Sequence, residues 1–250
     1  IRVRQQGDRW VLSQVPQVQG ALVSISPRDG RILSLAGGFD FVRSPFNRAT
    51  QARRQPGSSF KPFLYAAAFD KGYTPASIIN DAPVEYAQGV NGEIWRPENY
   101  SGRFYGPTPL REGLVHSRNL VSVRLLQEMN VGYGVRYVER FGFPMQHVPP
   151  DLSLSLGTAE LTPLEMARGY GVFASGGYLL TPYLIARVED HDGRLLYARA
   201  PELACEDCGN AASRLQPAQG PSWLTDHPPI ALGGADLVPE PARSAPRVMD

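Results

Sequence analysis

Ser58 and Lys61 stand three residues apart in "QPGSSFKPF", residues 55–63, and that spacing raises a specific chemistry. A serine hydroxyl is a weak nucleophile until a neighbouring base takes its proton. A lysine acts as that base only when burial or nearby positive charge lowers its pKa from about 10.4. Arginine cannot replace it, because the guanidinium stays protonated. The chain has 23 arginines and only two lysines, Lys61 and Lys71, so a lysine at this position says more than its charge alone. On a helix, positions i and i+3 share a face, with Cβ atoms about 5–6 Å apart. A helix N-terminus carries roughly half a positive charge, which favours a neutral Lys61 and an alkoxide on Ser58. Gly57 lets a substrate approach the backbone closely. The competing reading is a solvated surface lysine, since a Ser-x-x-Lys pair alone is a weak motif.

A second candidate is Ser117-Arg118-Asn119, at a break between two helical patterns, where a hydroxyl and an amide can reach into a cleft. Its competing reading is a plain helix start with Ser117 as N-cap. Trp95 and Tyr105, with Tyr100 and Phe104, lie in a long loop and offer faces for a substrate groove; aromatics of such a loop also serve to pin it to the body. His116 adjoins Ser117 but has no acid placed to orient it. Asp81 and Glu98 have no partner carboxylate at a meaningful spacing. No metal-ligand cluster appears, and no cofactor is expected.

The elements around these residues read as strands, then helices, then strands. Residues 20–26 and 31–36 alternate around the turn "PRDG", which predicts a β-hairpin. Residues 10–18 suggest a preceding strand, limited by Pro16. Helical spacing from Ser58 to Lys71 aligns Phe60, Phe63, Leu64, Ala67 and Ala68, and Pro62 is tolerable because it falls in the first turn. Residues 73–108 are aperiodic and rich in Pro and Gly, the pattern of a functional loop or lid. Helices are expected at 109–116, 119–130 and 133–141. Another opens at Thr162-Pro163-Leu164-Glu165, a capping-box sequence, and runs to about Ala174. Strands follow near 183–189 and 194–198. This order predicts an α+β fold with an antiparallel sheet and helices packed on it.

Composition narrows the class further. With 42% hydrophobic residues the chain is globular, and a formal net charge of +1 argues against nucleic-acid binding. The longest apolar run, Phe63–Phe69, is far below the roughly 20 residues of a membrane span. Both ends read as cuts through a longer protein. Residues 1–17 are expected to close a preceding domain or linker, 18–200 to form the main domain, and 201–250 to be a loosely ordered, Pro-rich extension or insertion. Cys205 and Cys208 in "CEDC" suit a local disulfide in an oxidising compartment better than zinc or thioredoxin-type redox chemistry, with free thiols as the alternative.

Ser-x-x-Lys followed by Ser-x-Asn are two of three motifs shared by penicillin-binding proteins and class A β-lactamases. The stretch "FNRATQARRQPGSSFKPFLYAAAFDKGYTPASIINDAP" resembles the nucleophile region of class A penicillin-binding proteins, most closely the 1A type of Gram-negative bacteria. The likeness continues through "IWRPENYSGRFYGPTPLREGLVHSRNLVSVRLL" and "LSLSLGTAELTPLEMARGYGVFASGGYLLTPYLI", about residues 10–200, and "CEDC" resembles a feature of that type.

The resemblance implies a penicillin-recognising transpeptidase fold and a serine D,D-transpeptidase that cross-links peptidoglycan stem peptides. Ser58 would attack the D-Ala–D-Ala carbonyl, Lys61 take its proton, Ser117 relay a proton to the leaving D-alanine, and Asn119 bind the substrate amide. β-Lactams would acylate the same serine. It further implies a parent protein anchored in the inner membrane, with a glycosyltransferase domain and its transpeptidase on the periplasmic side.

The family's third motif, K-[ST]-G, is absent from this chain, because its only lysines are Lys61 and Lys71. The fold here is therefore expected to be incomplete, the missing strand lying downstream or on a companion chain. A non-catalytic penicillin sensor is the first alternative. A serine β-lactamase is the second, disfavoured because no E-x-x-L-N-like deacylating loop is visible.

Overall fold

The computed structural model describes residues 2–14, 17–88, 93–204 and 243–249. The chain opens with a hairpin of β1 (Arg2–Gln6) and β2 (Arg9–Ser13). A second hairpin follows, β3 (Leu22–Ile25) with β4 (Ile32–Ala36), turning at the predicted "PRDG", where Gly30 takes φ +77°. The short helix α1 (Arg48–Gln51) leads to a 3-10 turn at Gly57–Phe60 and then to α2 (Lys61–Asp70).

The stretch read as aperiodic contains four short strands: β5 (Ile78–Asp81), β6 (Tyr86–Gln88), β7 (Glu93–Trp95) and β8 (Gly106–Pro109). Strands of three or four residues hold too few repeats to display period-2 alternation, and the prolines hide what remains. β5 pairs antiparallel with β8, closing the base of a long excursion, and β6 pairs with β7 inside it.

Helices α3 (Leu110–Val115), α4 (Asn119–Met129) and α5 (Val131–Glu139) match the spacing of the sequence. Two further 3-10 turns, Met145–His147 and Leu152–Leu156, precede α6 (Pro163–Ala174). The capping box at the start of α6 is complete: Thr162 Oγ1 accepts from Glu165 N–H, and Glu165 Oε2 accepts from Thr162 N–H. β9 (Arg187–Glu189) and β10 (Leu195–Ala198) form another antiparallel pair, the first shorter than its pattern implied.

The α+β class holds, but the expected antiparallel sheet is not continuous. Among the described residues the strands form separate two-stranded pairs. One pair is parallel, β11 (Glu202–Leu203) with β12 (Arg243–Ser244). The centre of the molecule is a helix rather than a sheet, which leaves the hairpins at the periphery. In α2, Lys61 and every residue from Phe63 to Ala68 are buried. A helix apolar all round belongs in the interior of a domain. Phe63 lies 4.9–5.4 Å, ring centre to ring centre, from Phe141, Phe143, Tyr170 and Phe173.

The expectation of a loose extension after residue 200 needs correction at its described ends. Leu203 and Ala245 are buried, and Val248 enters the main core. Apolar side chains at both ends of the segment anchor them to the body. Cys205 and Cys208 lie outside the described residues, as does Pro16.

Candidate active site

Ser58 sits in the 3-10 turn, not in α2 itself, so the single helix expected from Ser58 to Lys71 is in fact two pieces. Pro62 supplies the reason. In an α-helix Ser58 O would accept from the N–H of residue 62, and proline has none. Lys61 N–H takes that carbonyl instead, giving the i→i+3 pattern. In a 3-10 turn residues i and i+3 eclipse, so the turn keeps Ser58 and Lys61 on one edge. Gly57 enters the turn at φ +60°, a backbone region costly to other residues. Among the described residues Ser58 N–H meets no backbone acceptor, as befits an orphan donor of a helix start.

Neighbouring elements hold this turn by its main chain. Gly57 N–H donates to Gly157 O (3.1 Å), just after the Leu152–Leu156 turn, and Tyr170 Oη of α6 donates to Ser59 O (2.7 Å). Gly157 has φ +76°, and a Cβ added there would lie 1.9 Å from Gly57 O. Arg54 exchanges backbone hydrogen bonds with Leu161 (3.1 Å each way), and Arg53 grips both Glu165 oxygens at 3.0 Å. The turn is thereby tied to the start of α6. A groove of about 460 Å³ adjoins this segment, lined in part by Arg54, Gln55, Pro56 and Met166; none of the four candidate side chains lines it.

Lys61 is 1% exposed, which removes the reading of a solvated surface charge. Its Nζ donates to Ser117 O (2.8 Å), Ser117 Oγ (2.9 Å) and Asn119 Oδ1 (2.8 Å). An ammonium has three donors, and these acceptors use all three; Ser58 Oγ is not among them. Burial lowers the Lys61 pKa from 10.5 to about 8. The arrangement therefore holds the protonated form, while desolvation brings the neutral form within reach near neutral pH.

Ser117 occupies the turn that ends α3. Its N–H donates to Leu114 O (3.0 Å) and that of Arg118 to Gly113 O (2.8 Å), the pair of bonds of a Schellman motif. The residue between is usually glycine, because it must adopt the left-handed conformation, and Ser117 does so at φ 53°. Such strain in a non-glycine residue costs on the order of 1 kcal/mol and recurs at functional sites. The reading of Ser117 as N-cap of the next helix falls: the N-cap of α4 is Arg118, whose side chain caps nothing.

The acceptor missing at that cap comes from a residue the sequence reading passed over. Asn99 Oδ1 accepts from Asn119 N–H (2.8 Å) and Leu120 N–H (3.3 Å). Its Nδ2 donates to both oxygens of the buried Asp81 (2.7 and 3.0 Å) and to Arg103 O (2.9 Å). The preceding residue, Glu98, accepts from Asn119 Nδ2 through its carbonyl (2.8 Å). A helix start at Arg118, with no capping oxygen of its own, was the signal in the sequence that an outside acceptor must exist.

The aromatic candidates are spread out. Tyr105 lies beside the Ser117 turn, its ring centre 3.4 Å from the Arg118 guanidinium carbon. Trp95 is on β7 and packs on Tyr86 (5.9 Å), which bonds Gln127 of α4. Tyr100 and Phe104 are exposed. Among the described residues no group of histidines, cysteines and carboxylates is placed to hold a metal, and no helix is long and apolar enough to cross a membrane.

Residues 20–207 match the family model described as penicillin binding protein transpeptidase domain, and the chain belongs to that family. Among curated relatives it is 49% identical over 208 residues to penicillin-binding protein 1A of Escherichia coli, covering 83% of this chain and 24% of that protein. Among solved structures, penicillin-binding protein 1A from Haemophilus influenzae superposes with a TM-score of 0.77 at 40% identity, covering 83% of this chain and 31% of that one. PonA1 of Mycobacterium tuberculosis, solved in complex with penicillin V, has a TM-score of 0.62 at 25% identity, covering 73% and 51%. The chain spans about a quarter of the length of the curated relatives it matches.

Proposed function

We propose that this chain carries the nucleophile-bearing part of a serine D,D-transpeptidase acting on peptidoglycan stem peptides, and that β-lactams acylate it. The observation that supports this best is the buried Lys61 amine, eclipsed with Ser58 along the chain and bonded to Ser117 and Asn119. In this reading Ser58 Oγ attacks the carbonyl of the penultimate D-alanine while neutral Lys61 takes the hydroxyl proton. A C–O bond forms, the C–N bond to the terminal D-alanine breaks, and Ser117 passes a proton to the departing amine. Asn119 Nδ2 keeps one hydrogen on Glu98 O and offers the other to the substrate amide, and Ser58 N–H gives one oxyanion donor.

A second oxyanion donor and a partner for the substrate carboxylate are assigned to a K-[ST]-G segment of the parent protein. Trp95 and Tyr105 are assigned to the walls of the substrate groove. Residues 18–200 are taken as the main body of the domain, 1–17 as the end of what precedes it, and 201–250 as an insertion anchored at both ends. The parent protein is assigned to the periplasmic side of the inner membrane, with a glycosyltransferase domain.

Intact-mass measurement after penicillin G treatment tests the core of this reading. One adduct is expected, on Ser58 and lost in Ser58→Ala. An adduct on Ser59 or Ser117 overturns the assignment, and no adduct at all favours a non-catalytic role for this chain.

A further inference from the structure

We propose that Asn99 is the positioning residue of the Ser117–Asn119 turn, holding the Asn119 amide in the one orientation that aims an oxygen at Lys61. The inference rests on the site reading above only for its consequence in acylation; its geometry stands alone.

The argument begins at Asp81, which is fully buried. Both Asp81 oxygens face the Asn99 amide, and of the two ends of that amide only the NH2 can donate to them. That requirement directs the Asn99 NH2 toward Asp81, at 2.7 and 3.0 Å, and leaves Oδ1 on the opposite side. On that side stand two donors, the first N–H groups of α4, at 2.8 and 3.3 Å. The Nδ2 has a further donor for Arg103 O, which closes the loop 99–103 on itself. Both polar side-chain atoms of Asn99 are used, and a flipped amide would set NH2 against N–H and oxygen against oxygen.

Asn99 and its neighbour then grip Asn119 from two sides. Asn99 holds the backbone N–H with its side chain, and Glu98 holds the side-chain NH2 with its backbone. Glu98 O is an acceptor, so Asn119 must turn its NH2 there and its Oδ1 toward Lys61 Nζ. Released from this clamp, Asn119 is free to flip and present NH2 to the amine, where it repels an ammonium. The buried carboxylate thus specifies, through two amides in series, what Lys61 meets. No charged side chain shifts Lys61; burial is the cause, so its environment depends on the clamp staying closed.

The experiment uses the two-lysine composition. In the whole chain labelled with 13C-lysine, Lys61 and Lys71 give two resonances, and Lys61→Arg assigns them. Asn99→Ala is expected to move the Lys61 titration midpoint below its wild-type value, because a flipped Asn119 amide withdraws Oδ1 and sets NH2 against the ammonium. Acylation by penicillin G should slow by about a hundredfold, the scale of a small misplacement. A folded Asn99→Ala chain whose Lys61 midpoint stays at the wild-type value overturns the proposal.

The exchange variant Asp81→Asn with Asn99→Asp decides the case in which Asn99→Ala fails to fold. It rebuilds the amide–carboxylate pair with roles reversed and keeps an oxygen on the α4 N–H groups, losing only the bond to Arg103 O. It should hold the Lys61 midpoint near the wild-type value; a folded exchange variant with the midpoint displaced overturns the proposal. The two readings fail separately. A wild-type chain without an adduct, whose Lys61 midpoint still moves in Asn99→Ala, removes the acylation reading and leaves the positioning role. A wild-type adduct with no effect of Asn99→Ala does the reverse.

Discussion

The turn carrying Ser58 and the turn carrying Ser117 both face Lys61, but they are held by different forces. The Ser58 turn rests on apolar packing from below, through Phe60 and Phe63, and on main-chain bonds from Gly157 and Tyr170. Its tolerance is steric, because two backbones touch where only glycine fits. The Ser117 turn is held by directional hydrogen bonds from Asp81, Asn99 and Glu98, around a left-handed serine. Packing resists displacement of a main chain in every direction, whereas hydrogen bonds select one orientation of a side chain. A nucleophile needs a fixed backbone and a free hydroxyl; a relay needs its side-chain atoms aimed.

Lys61, the joint between the two halves, should give the largest effect. Lys61→Arg is expected to lower the acylation rate by more than about a thousandfold, the upper range for loss of a general base. Fluorescent-penicillin labelling measures this, and circular dichroism should show the fold retained. Labelling at the wild-type rate would detach Lys61 from the chemistry.

Gly157→Ala probes the steric half. It forces a Cβ into Gly57 O and a left-handed φ on alanine, so a loss of roughly 2–4 kcal/mol of stability is expected, read by thermal melting. Acylation should fall with it, because the only relief is movement of the Ser58 turn. If melting falls and acylation does not, the turn is held from α2 alone.

The pH profile sharpens the comparison without a mutation. With only the neutral amine competent, the acylation rate should climb about tenfold per unit below pH 8 and level off above it. The same shift has a sign for stability. The folded pKa of about 8 lies below the unfolded 10.5, so between these values the unfolded chain binds the extra proton. Unfolding free energy therefore rises with pH across that window and gains nothing from Lys61 below it. Denaturant titrations at pH 7.5 and 9.5 compare the two regimes.

Thr162→Ala should have the smallest effect. Loss of the N-cap oxygen of α6 costs about 1 kcal/mol. The Arg53–Glu165 contact remains to hold the approach to Ser58, so the acylation rate at 25 °C should be unchanged. A marked rate loss would show that the steric half depends on the α6 cap as well.

Much of this was legible in residue order, and what was missed has a common cause. The hairpin at "PRDG", the capping box at Thr162 and the helices of 110–139 rest on local rules, which act within a few residues and leave a pattern in the chain. So do the spacings of Ser58 with Lys61 and Ser117 with Asn119. The length of the Ser58 helix was misjudged although its cause, Pro62, stood in plain view: the missing N–H moves one hydrogen bond and converts the first turn.

The burial of Lys61, the clamp of Asp81 and Asn99 and the contact of Gly157 with Gly57 join residues 18 to 100 positions apart. Sequence by itself determined which side chains could do chemistry and which stretches around them are helical. Only the tertiary structure decided that Lys61 is dry, that its three hydrogens point at the second motif, and that an asparagine from a proline-rich loop completes a helix with no cap of its own. Desolvation and hydrogen-bond direction are properties of what surrounds a residue, and no spacing along the chain encodes them.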